Sequence, residues 1–186
     1  MPSSHQDLIK RCMRHDPHAQ RQLYDEFAPR MLAVTYRYAR TRAEAEDIIQ
    51  EGFVKIFHNL HKYQDKGSLE GWIKRIMVNC AIDHLRKEKA FAYSIEVNDS
   101  VMGESKVDAL DQLALEDLMR LIQRLPDGYR VVFNLYAIEG YSHAEIGAQL
   151  GISESTSRSQ YARARAMLKK RIRESHLETY TLRDAI

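Results

Sequence analysis

Cysteine is scarce in this sequence, and the scarcity limits the kinds of site that the chain can build. Only two cysteines occur among the 186 residues, Cys12 and Cys80, and their separation fits neither a disulfide framework nor a zinc motif. Cys12, His15 and His18 could be grouped as metal ligands, but they lack the fourth ligand of a structural zinc site. We therefore expect no metal and no cofactor, and we interpret Cys80 as a small core residue.

The sequence also lacks long apolar runs and the motifs of common enzymes. No segment approaches the length of a transmembrane helix, and residues 1–7 do not have the composition of a signal peptide, so we expect a cytoplasmic protein without membrane insertion. A Gly-rich phosphate loop, a nucleophile elbow and a His-Glu-x-x-His motif are all missing. Asp83 and His84 could be drawn as an acid–base pair, but adjacent residues of a helix point in different directions. Catalysis is therefore not expected.

Charged residues are present but are unevenly distributed along the chain. The net charge is only +2, which by itself does not indicate a protein that binds nucleic acid. Residues 94–118 contain seven acidic residues and one basic residue, whereas residues 153–173 contain seven basic residues and one acidic residue. Such a separation indicates a basic binding segment joined to an acidic stretch that repels DNA or contacts a partner.

Apolar residues recur with helical spacing through most of the chain, and no run alternates with the period of a strand over a useful length. Pro29 predicts a kink or a break in the second helix, and Thr41 with Glu44 predicts a capping box at the start of the third. The predicted inward residues are Leu8, Ile9, Cys12 and Met13 in a first helix; Leu23, Phe27, Met31, Leu32 and Tyr36 in a second; Ile48, Ile49, Phe53, Ile56, Phe57 and Leu60 in a third; and Trp72, Ile73, Ile76, Met77, Cys80, Ile82 and Leu85 in a fourth.

The helical periodicity fades between residues 92 and 111, where polar residues predict a flexible acidic linker. A second helical block follows, with helices over 113–125 and 131–139 separated by Pro126, Asp127 and Gly128, and with Gly140 as a helix stop. We therefore predict an all-α protein with two small helical domains, at residues 5–91 and 112–175, and a tail at residues 176–186.

Residues 141–165 predict a helix-turn-helix, the unit that places its second helix in the major groove of DNA. Ser142 and Glu145 form a capping box for the first helix, and Gly151 supplies the left-handed residue that ends it. Ser153 can cap the second helix, which carries Arg158, Arg163, Arg165, Lys169, Lys170, Arg171 and Arg173.

The second helix of this motif has two distinct sides. Ser157, Tyr161, Ala164 and Leu168 fall on one face that can pack on the first helix, while Arg158, Ala162, Arg165 and Lys169 lie on a different side. A helical hairpin with a solvated basic face would share some of these features. The segregation of the arginines from the packing face favours contact with phosphates and guanine edges.

Two surfaces of the first domain are informative. Asp47, Gln50 and Glu51 lie opposite the apolar stripe of the third helix, and a solvated acidic helix start is the alternative interpretation. Residues 63–72 and the helix that follows place aromatic rings beside basic residues, a combination that suits single-stranded DNA. Trp72 is either a core anchor that holds this loop on its helix or a stacking platform, and we favour the anchor.

Taken together, these segments resemble the sigma factors of bacterial RNA polymerase, in particular the small extracytoplasmic-function group, over residues 5–173. Residues 45–57 resemble the helix that docks on the coiled-coil clamp of the polymerase, and residues 67–79 are similar to the loop and helix that open the −10 element. Residues 125–133 with the helix-turn-helix resemble the domain that reads the −35 element. The three motifs occur in the order and spacing of that family.

The resemblance implies a promoter-specificity subunit whose partners are core RNA polymerase (through its clamp coiled coil and flap), promoter DNA and an anti-sigma factor. It implies polymerase contacts at Asp47, Gln50 and Glu51. The implied −10 contacts are Gln64, Lys66, Gly67, Ser68, Leu69, Trp72, Lys74, Arg75, Asn79, Asp83 and Arg86. The implied −35 contacts are Ser155, Thr156, Arg158, Ser159, Gln160, Arg163, Arg165 and Lys169.

Ser155 and Ser157 depart from the small Gly-like and aliphatic residues that the family usually has at these positions. Ser157 on the packing face is expected to cost some stability and to shift the recognition helix slightly. Two other interpretations compete with a sigma factor: a free-standing regulator, which would bind duplex DNA without polymerase, and a nucleic-acid-processing enzyme, which would need a metal or nucleophile site. An interaction-only protein such as an anti-sigma factor would not need the arginine-lined helix.

Overall fold

The chain folds as two helical units. The computed structural model describes residues 4–87 and 113–174, and the division between the units falls between Lys87 and Glu88. Within these two ranges the regular structure is helical throughout, which confirms the predicted all-α fold with two domains. The predicted linker at 92–111 and the predicted tail at 176–186 lie outside the described residues.

The first unit is a bundle of four helices. They are α1 (Ser4–Met13), α2 (Pro17–Tyr36), α3 (Arg42–Asn59) and α4 (Leu69–Lys87), with a 3₁₀ turn at Leu60–Lys62 directly after α3. α2, α3 and α4 pack on one another, and α1 packs on α2 and on the 3₁₀ turn. The side chains that fill the shared interior include Leu23, Phe27, Met31, Ile48, Phe53, Ile56, Ile73 and Met77.

The starts of α2 and α3 are fixed by side-chain caps. Asp16 accepts hydrogen bonds from the backbone N–H groups of His18 at 2.9 Å and Ala19 at 3.3 Å, and Pro17 occupies the first helical position. The Arg11 guanidinium donates to the same carboxylate, and these hydrogen bonds lower the pKa of Asp16. Thr41 caps α3 by accepting from the Glu44 N–H at 3.2 Å, but the Glu44 carboxylate accepts from the Arg40 N–H at 2.8 Å, so only half of the predicted capping box forms.

Three further predicted features of the first unit differ from the structure. α2 continues through Pro29 without a break, because Pro29 lies on the exposed side while Phe27 and Met31 hold the helix to the core. Met13 and Tyr36 were predicted to point inward but are 46% and 40% exposed. Each is the last residue of its helix, so the apolar stripe leaves the core there.

The second unit contains two helices followed along the chain by the predicted helix-turn-helix. Its elements are α5 (Leu113–Gln123), α6 (Asp127–Phe133), a π-helical turn (Asn134–Ile138), α7 (His143–Leu150) and α8 (Glu154–Glu174). α8 packs against α6 and α7 and also contacts α5. The buried residues at this packing include Val131, Leu135, Ile146, Ala164 and Leu168.

α6 begins at Asp127 rather than at the predicted Val131, and Arg130 explains the difference. Arg130 is only 2% exposed, and its guanidinium donates to Asp127 at 2.8 Å and to the Gln123 carbonyl oxygen at 3.0 Å. These bonds join the end of α5 to the first turn of α6, so the chain is helical again directly after Pro126. Arginine is seldom fully buried, so the sequence pattern did not indicate this contact.

Candidate functional site

One exposed face of α3 carries the predicted docking residues. Asp47, Gln50 and Glu51 are all exposed, and their spacing of three and four residues places them on one side of the helix. Val54 follows at the next turn of the same face and is 56% exposed. We call these residues the docking surface. Val54 was not singled out from the sequence, because a lone apolar residue on a polar face usually has no particular role.

The loop that leads into α4, residues 63–68, is held in shape by Tyr63. The Tyr63 hydroxyl lies 2.7 Å from the Gly67 carbonyl oxygen and 3.1 Å from a carboxylate oxygen of Asp65. Asp65 has a positive φ of 55°, and its other carboxylate oxygen accepts a hydrogen bond from Gln6 of α1 at 2.8 Å. Burial and the hydrogen bond to Asp65 raise the pKa of Tyr63, so the hydroxyl keeps its proton at neutral pH. We call this segment the α4 loop.

The end of the α4 loop forms the start of α4. Ser68 Oγ accepts a hydrogen bond from the Gly71 N–H at 3.0 Å, so this serine caps the helix. Leu69 is only 5% exposed and faces the core, contrary to the expectation of a DNA-facing side chain. Gln64, Lys66 and Gly67 are exposed, as a contact with DNA would require.

Trp72 lies between this loop and a shallow pocket on the surface of the first unit. Its ring is half-buried and packs on Tyr63 with 5.6 Å between ring centroids, which supports the anchoring interpretation. The pocket is open to solvent, has a volume of about 280 Å³ and is lined by Lys55, Asn59, Lys62, Trp72, Ile76, Asn79 and Cys80. Lys55, Asn59 and Lys62 were not predicted as site residues, because α3 and the 3₁₀ turn bring them to α4 only in the folded bundle.

Basic and polar residues of α4 surround the same region. Arg75, Asn79 and Arg86 are exposed, whereas Lys74 and Asp83 are half-buried. Asp83 binds Lys55 of α3 at 3.1 Å and lies 3.8 Å from Arg86. Partial burial lowers the pKa of Lys55, but the bond to Asp83 contributes to a net rise, so this lysine is a cation at neutral pH. Asp83 therefore orients basic side chains at the edge of the pocket.

The helix-turn-helix has the caps that the sequence predicts. Ser142 and Glu145 form a complete capping box at α7, with the Glu145 N–H donating to Ser142 and the Ser142 N–H donating to the Glu145 carboxylate. Gly151 ends α7 in the left-handed conformation, with φ of 69°. Ser153 caps α8 by accepting from Thr156 N–H at 3.0 Å. The turn and the start of the recognition helix are thus defined by local hydrogen bonds.

α8 has the two sides that the sequence predicts, with one exception. Ser157, Tyr161, Ala164 and Leu168 are buried, while Ser155, Arg158, Ser159, Arg163 and Lys169 are exposed. Thr156 and Arg165 are half-buried. Gln160 was predicted as a DNA contact but is only 3% exposed. Its side chain faces the interior of the unit and is not presented to DNA.

Several cationic side chains of α8 are held by neighbouring residues. Arg158 binds the carboxylate of Glu154 one turn earlier in the same helix. Arg163 donates to the Tyr129 hydroxyl at 3.3 Å, and the Arg165 guanidinium lies 5.8 Å from the centre of the Tyr161 ring. These contacts restrict side chains that would otherwise be mobile on an exposed helix, which lowers the entropy lost when they bind a ligand.

The described residues contain no cluster of three or more His, Cys, Asp or Glu side chains arranged to hold a metal ion. Cys12 and Cys80 are both buried thiols, as expected for core residues, while His15 and His18 are exposed. A helix long and apolar enough to cross a membrane is also missing from the part of the chain that the structure describes.

Known proteins resemble both units of the chain. Residues 23–91 match sigma-70 region 2, and residues 115–168 match sigma-70 region 4. The chain is 31% identical over 181 residues to the ECF RNA polymerase sigma factor SigW of Bacillus subtilis, covering 89% of this chain and 95% of SigW. It is 32% identical over 163 residues to the ECF RNA polymerase sigma factor SigE of Mycolicibacterium smegmatis, covering 85% of this chain and 63% of SigE.

A solved structure has the same fold. It is the sigma factor RpoE in complex with the anti-sigma factor NepR from Bartonella quintana, with a TM-score of 0.50, 23% identity, and coverage of 81% of this chain and 94% of that chain. The region 2 match corresponds to α2–α4, and the region 4 match contains the helix-turn-helix. The two matching regions and the similarity along nearly the full length of SigW place the chain in the sigma-70 family of RNA polymerase sigma factors, in its extracytoplasmic-function group.

Proposed function

We propose that the chain is a promoter-specificity subunit that binds core RNA polymerase, reads the −35 and −10 elements and assists strand opening. The observation that carries this proposal is that the first unit, one packed helical bundle, bears both an acidic docking surface on α3 and a basic pocket between α3 and α4. A protein that must hold polymerase and melted DNA together needs both surfaces in a fixed relation. Its action belongs in the cytoplasm, where bacterial polymerase works.

The docking surface is the site that we assign to polymerase. Asp47, Gln50 and Glu51 offer charge and hydrogen bonds to a basic helical partner, and Val54 offers apolar area beside them. Charged groups across an interface chiefly set the association rate and the partner, whereas buried apolar contacts contribute to the lifetime of the complex. Glu51 contacts Lys87 at 3.8 Å in the unbound chain, an exposed pair that is weak enough to exchange for a partner.

The pocket beside Trp72 is the site that we assign to the opened −10 strand. A base that leaves the duplex stack needs a cavity with an aromatic or apolar wall and polar groups for its edge. Trp72 and Ile76 provide the wall, Asn59 and Asn79 provide amide groups, and Lys55 provides a cation for the backbone. Lys62, Lys74, Arg75 and Arg86 extend the basic track, and the α4 loop carries Gln64, Lys66 and Gly67 beside it.

α8 is the helix that we assign to the −35 duplex. Arg158 is the leading base reader, with Ser155, Thr156, Ser159 and Arg163 around it, and Arg165 and Lys169 are assigned to phosphates. The burial of Gln160 removes it from this set. We assign residues 5–91 to polymerase and the −10 element, residues 112–175 to the −35 element, and residues 92–111 to a linker between them.

Family membership also leads us to propose an anti-sigma factor as the inhibitory partner, and a role in transcription without a catalytic reaction of its own. A free-standing regulator with the same helix-turn-helix would bind duplex DNA without polymerase. Binding of polymerase by the docking surface would distinguish the two, because a regulator that acts alone has no use for such a face.

The experiment that tests the proposal reverses the charge of the docking surface. Asp47→Lys with Glu51→Lys should weaken binding to bacterial core polymerase at least tenfold, because like charges across an interface cost several kcal/mol and each 1.4 kcal/mol corresponds to about tenfold in affinity. Binding is measured by titrating labelled chain with core enzyme.

The matched control is Asp25→Lys with Glu26→Lys, which makes the same change in net charge at exposed positions of α2. The control should bind polymerase as tightly as the wild type, and both variants should retain wild-type helical content. Equal affinities for the wild type and the docking-surface variant would remove this surface from the interface.

A further inference from the structure

A buried polar contact joins the two helices of the helix-turn-helix. His143, the first residue of α7, is only 7% exposed, and its Nδ1 lies 2.9 Å from the hydroxyl oxygen of Ser157 in α8. Ser157 is fully buried. A polar group in a protein interior is destabilising unless it is paired, so each of these side chains depends on the other. The pair therefore ties one turn of the recognition helix to the start of α7.

Aromatic rings fix the imidazole in the orientation that this contact needs. Tyr136 stacks on His143 with 4.2 Å between ring centroids and an angle of 10°, and Tyr161 lies 5.8 Å away. Tyr136 also packs on Tyr161, at 4.5 Å. Tyr136 belongs to the π-helical turn at Asn134–Ile138, where the changed helical spacing rotates it out of the register of α6. Two elements, the π-helical turn and α8, thus hold the ring that α7 carries.

The position of this contact connects it with DNA recognition. Ser157 is the residue directly before Arg158, the leading base reader, and Glu154 holds Arg158 from the preceding turn. A change in the distance between His143 and Ser157 rotates or lifts this part of α8 relative to α7. A shift of about 1 Å is enough to misplace a bidentate contact with a base edge.

We propose that His143 is a positioning residue for promoter recognition: the neutral imidazole, bonded to Ser157, sets the angle at which Arg158 meets the −35 duplex. This inference rests on the proposed function. The inference also gives Ser157 a role. Its hydroxyl is hydrogen-bonded to His143, so this serine does more than occupy the place of an aliphatic packing residue.

Protonation of His143 should disturb this arrangement. The charged groups that face the imidazole are Arg158 and Glu154 of α8, and the phenols are Tyr136 and Tyr161. Burial lowers the pKa of His143, Arg158 lowers it further, and Glu154 raises it in part. The pKa of His143 is lower in the folded chain than its unfolded value of about 6.5, so the neutral imidazole stabilises the fold fully above about pH 6.5. This stabilisation is lost as the pH falls through the lowered folded-state pKa. A second cation then lies beside Arg158.

The experiment measures −35 discrimination by holoenzyme assembled from bacterial core polymerase and the full chain. The probe is an upstream sequence selected by wild-type holoenzyme from a randomised duplex library, and discrimination is the ratio of its affinity to that of an unrelated sequence. Ser157→Ala and His143→Phe should each lower the ratio by roughly fivefold to tenfold at about pH 7.5, and the double variant should fall little further, since coupled residues are not additive.

His143→Asn places an amide near Nδ1 but does not titrate, so it serves as the matched control. Its ratio should stay near the wild-type value at every pH of a titration downward from about pH 7.5, whereas the wild-type ratio should fall once the pH drops below the lowered pKa of His143. Taking ratios removes pH effects that are common to both DNA sequences. Discrimination at the −10 element should be unchanged in every variant, which checks folding and polymerase binding.

Three results would overturn the inference: wild-type ratios in both single variants, losses that add in the double variant, or the same pH dependence in His143→Asn as in the wild type. If Ser157→Ala does not fold, the comparison of wild type with His143→Asn across pH decides alone. A separate outcome is that wild-type holoenzyme selects no upstream sequence. In that case the proposed function itself is wrong, and the inference about His143 is wrong as well.

Discussion

Gly147 is a position in the helix-turn-helix with no room for a side chain. A Cβ at this position would lie 2.8 Å from the backbone oxygen of Ile152, an atom that cannot rotate away. The carbonyl oxygen of Gly147 also accepts the Ile152 N–H at 3.1 Å, so the glycine and the turn are tied together. The close approach of α7 to its own turn therefore depends on the missing side chain.

Gly147→Ala should destabilise the protein by up to about 2 kcal/mol. Overpacking costs about 1–3 kcal/mol, while the better helix propensity of alanine returns about 1 kcal/mol. Urea unfolding followed by circular dichroism measures the difference. Gly67→Ala is the control, because a Cβ there meets nothing within 4 Å, and it should stay within about 0.5 kcal/mol of the wild type. A Gly147→Ala protein as stable as the wild type would show that the turn can relax.

Gln160 and Ser157 show what sequence reasoning can and cannot resolve at the level of single residues. Helical spacing placed Ser157, Tyr161, Ala164 and Leu168 on one face, and all are buried. The same spacing puts Gln160 on that face, three residues after Ser157 and four before Ala164. We predicted Gln160 to face DNA because its side chain is polar. Its position on the helix, and not its residue type, determines that it is buried. The partner of Ser157 depends on the folded arrangement of α7 and the π-helical turn and was not predictable.

At the scale of elements, the local signals predicted the capped helix ends of the helix-turn-helix well, but they missed the start of α6 and the irregular turn that follows it. Ser142, Gly151 and Ser153 act as predicted because caps and left-handed stops are decided by a few adjacent residues. The π-helical turn at Asn134–Ile138 has no such signal. The pocket beside Trp72 was also only partly predictable, since Lys55 and Asn79 come from two successive helices, α3 and α4, whose facing sides meet only when they pack.

The pocket between α3 and α4 predicts which substitution weakens recognition of the −10 element. Asn79→Ala should lower preference for the −10 sequence roughly tenfold, because a lost base contact costs about 1–3 kcal/mol. The loss should occur on a duplex promoter and on a template with the −10 region mismatched open. Ser68 and Leu69 should be left intact, since one caps α4 and the other fills the core.

The control for this experiment is Gln22→Ala, at an exposed polar position of α2 with no assigned contact. Open-complex formation is followed by permanganate reactivity of the melted strand, with polymerase affinity measured in parallel. If Asn79→Ala opens promoters with the wild-type sequence preference, the reader of the −10 element lies outside the pocket.

At the scale of the whole molecule, the charge distribution explains why a nearly neutral chain can bind DNA. The net charge is +2, yet all seven basic side chains of residues 153–173 lie in α8, where they can release counterions from the phosphate backbone. A single small helix-turn-helix unit has few such contacts. We therefore expect weak duplex binding by the chain alone and stronger binding in the holoenzyme, where the polymerase interface is added to these contacts.

The most direct test of the account is run-off transcription by bacterial core polymerase on a library of promoter fragments, with and without the full chain. Addition of the chain should produce discrete transcripts that disappear when either the −35 or the −10 sequence of the template is replaced. The chain alone should bind the same fragments far more weakly than the holoenzyme does. Unchanged transcription on addition of the chain, together with tight duplex binding by the chain alone, would contradict the assignment and identify a free-standing regulator.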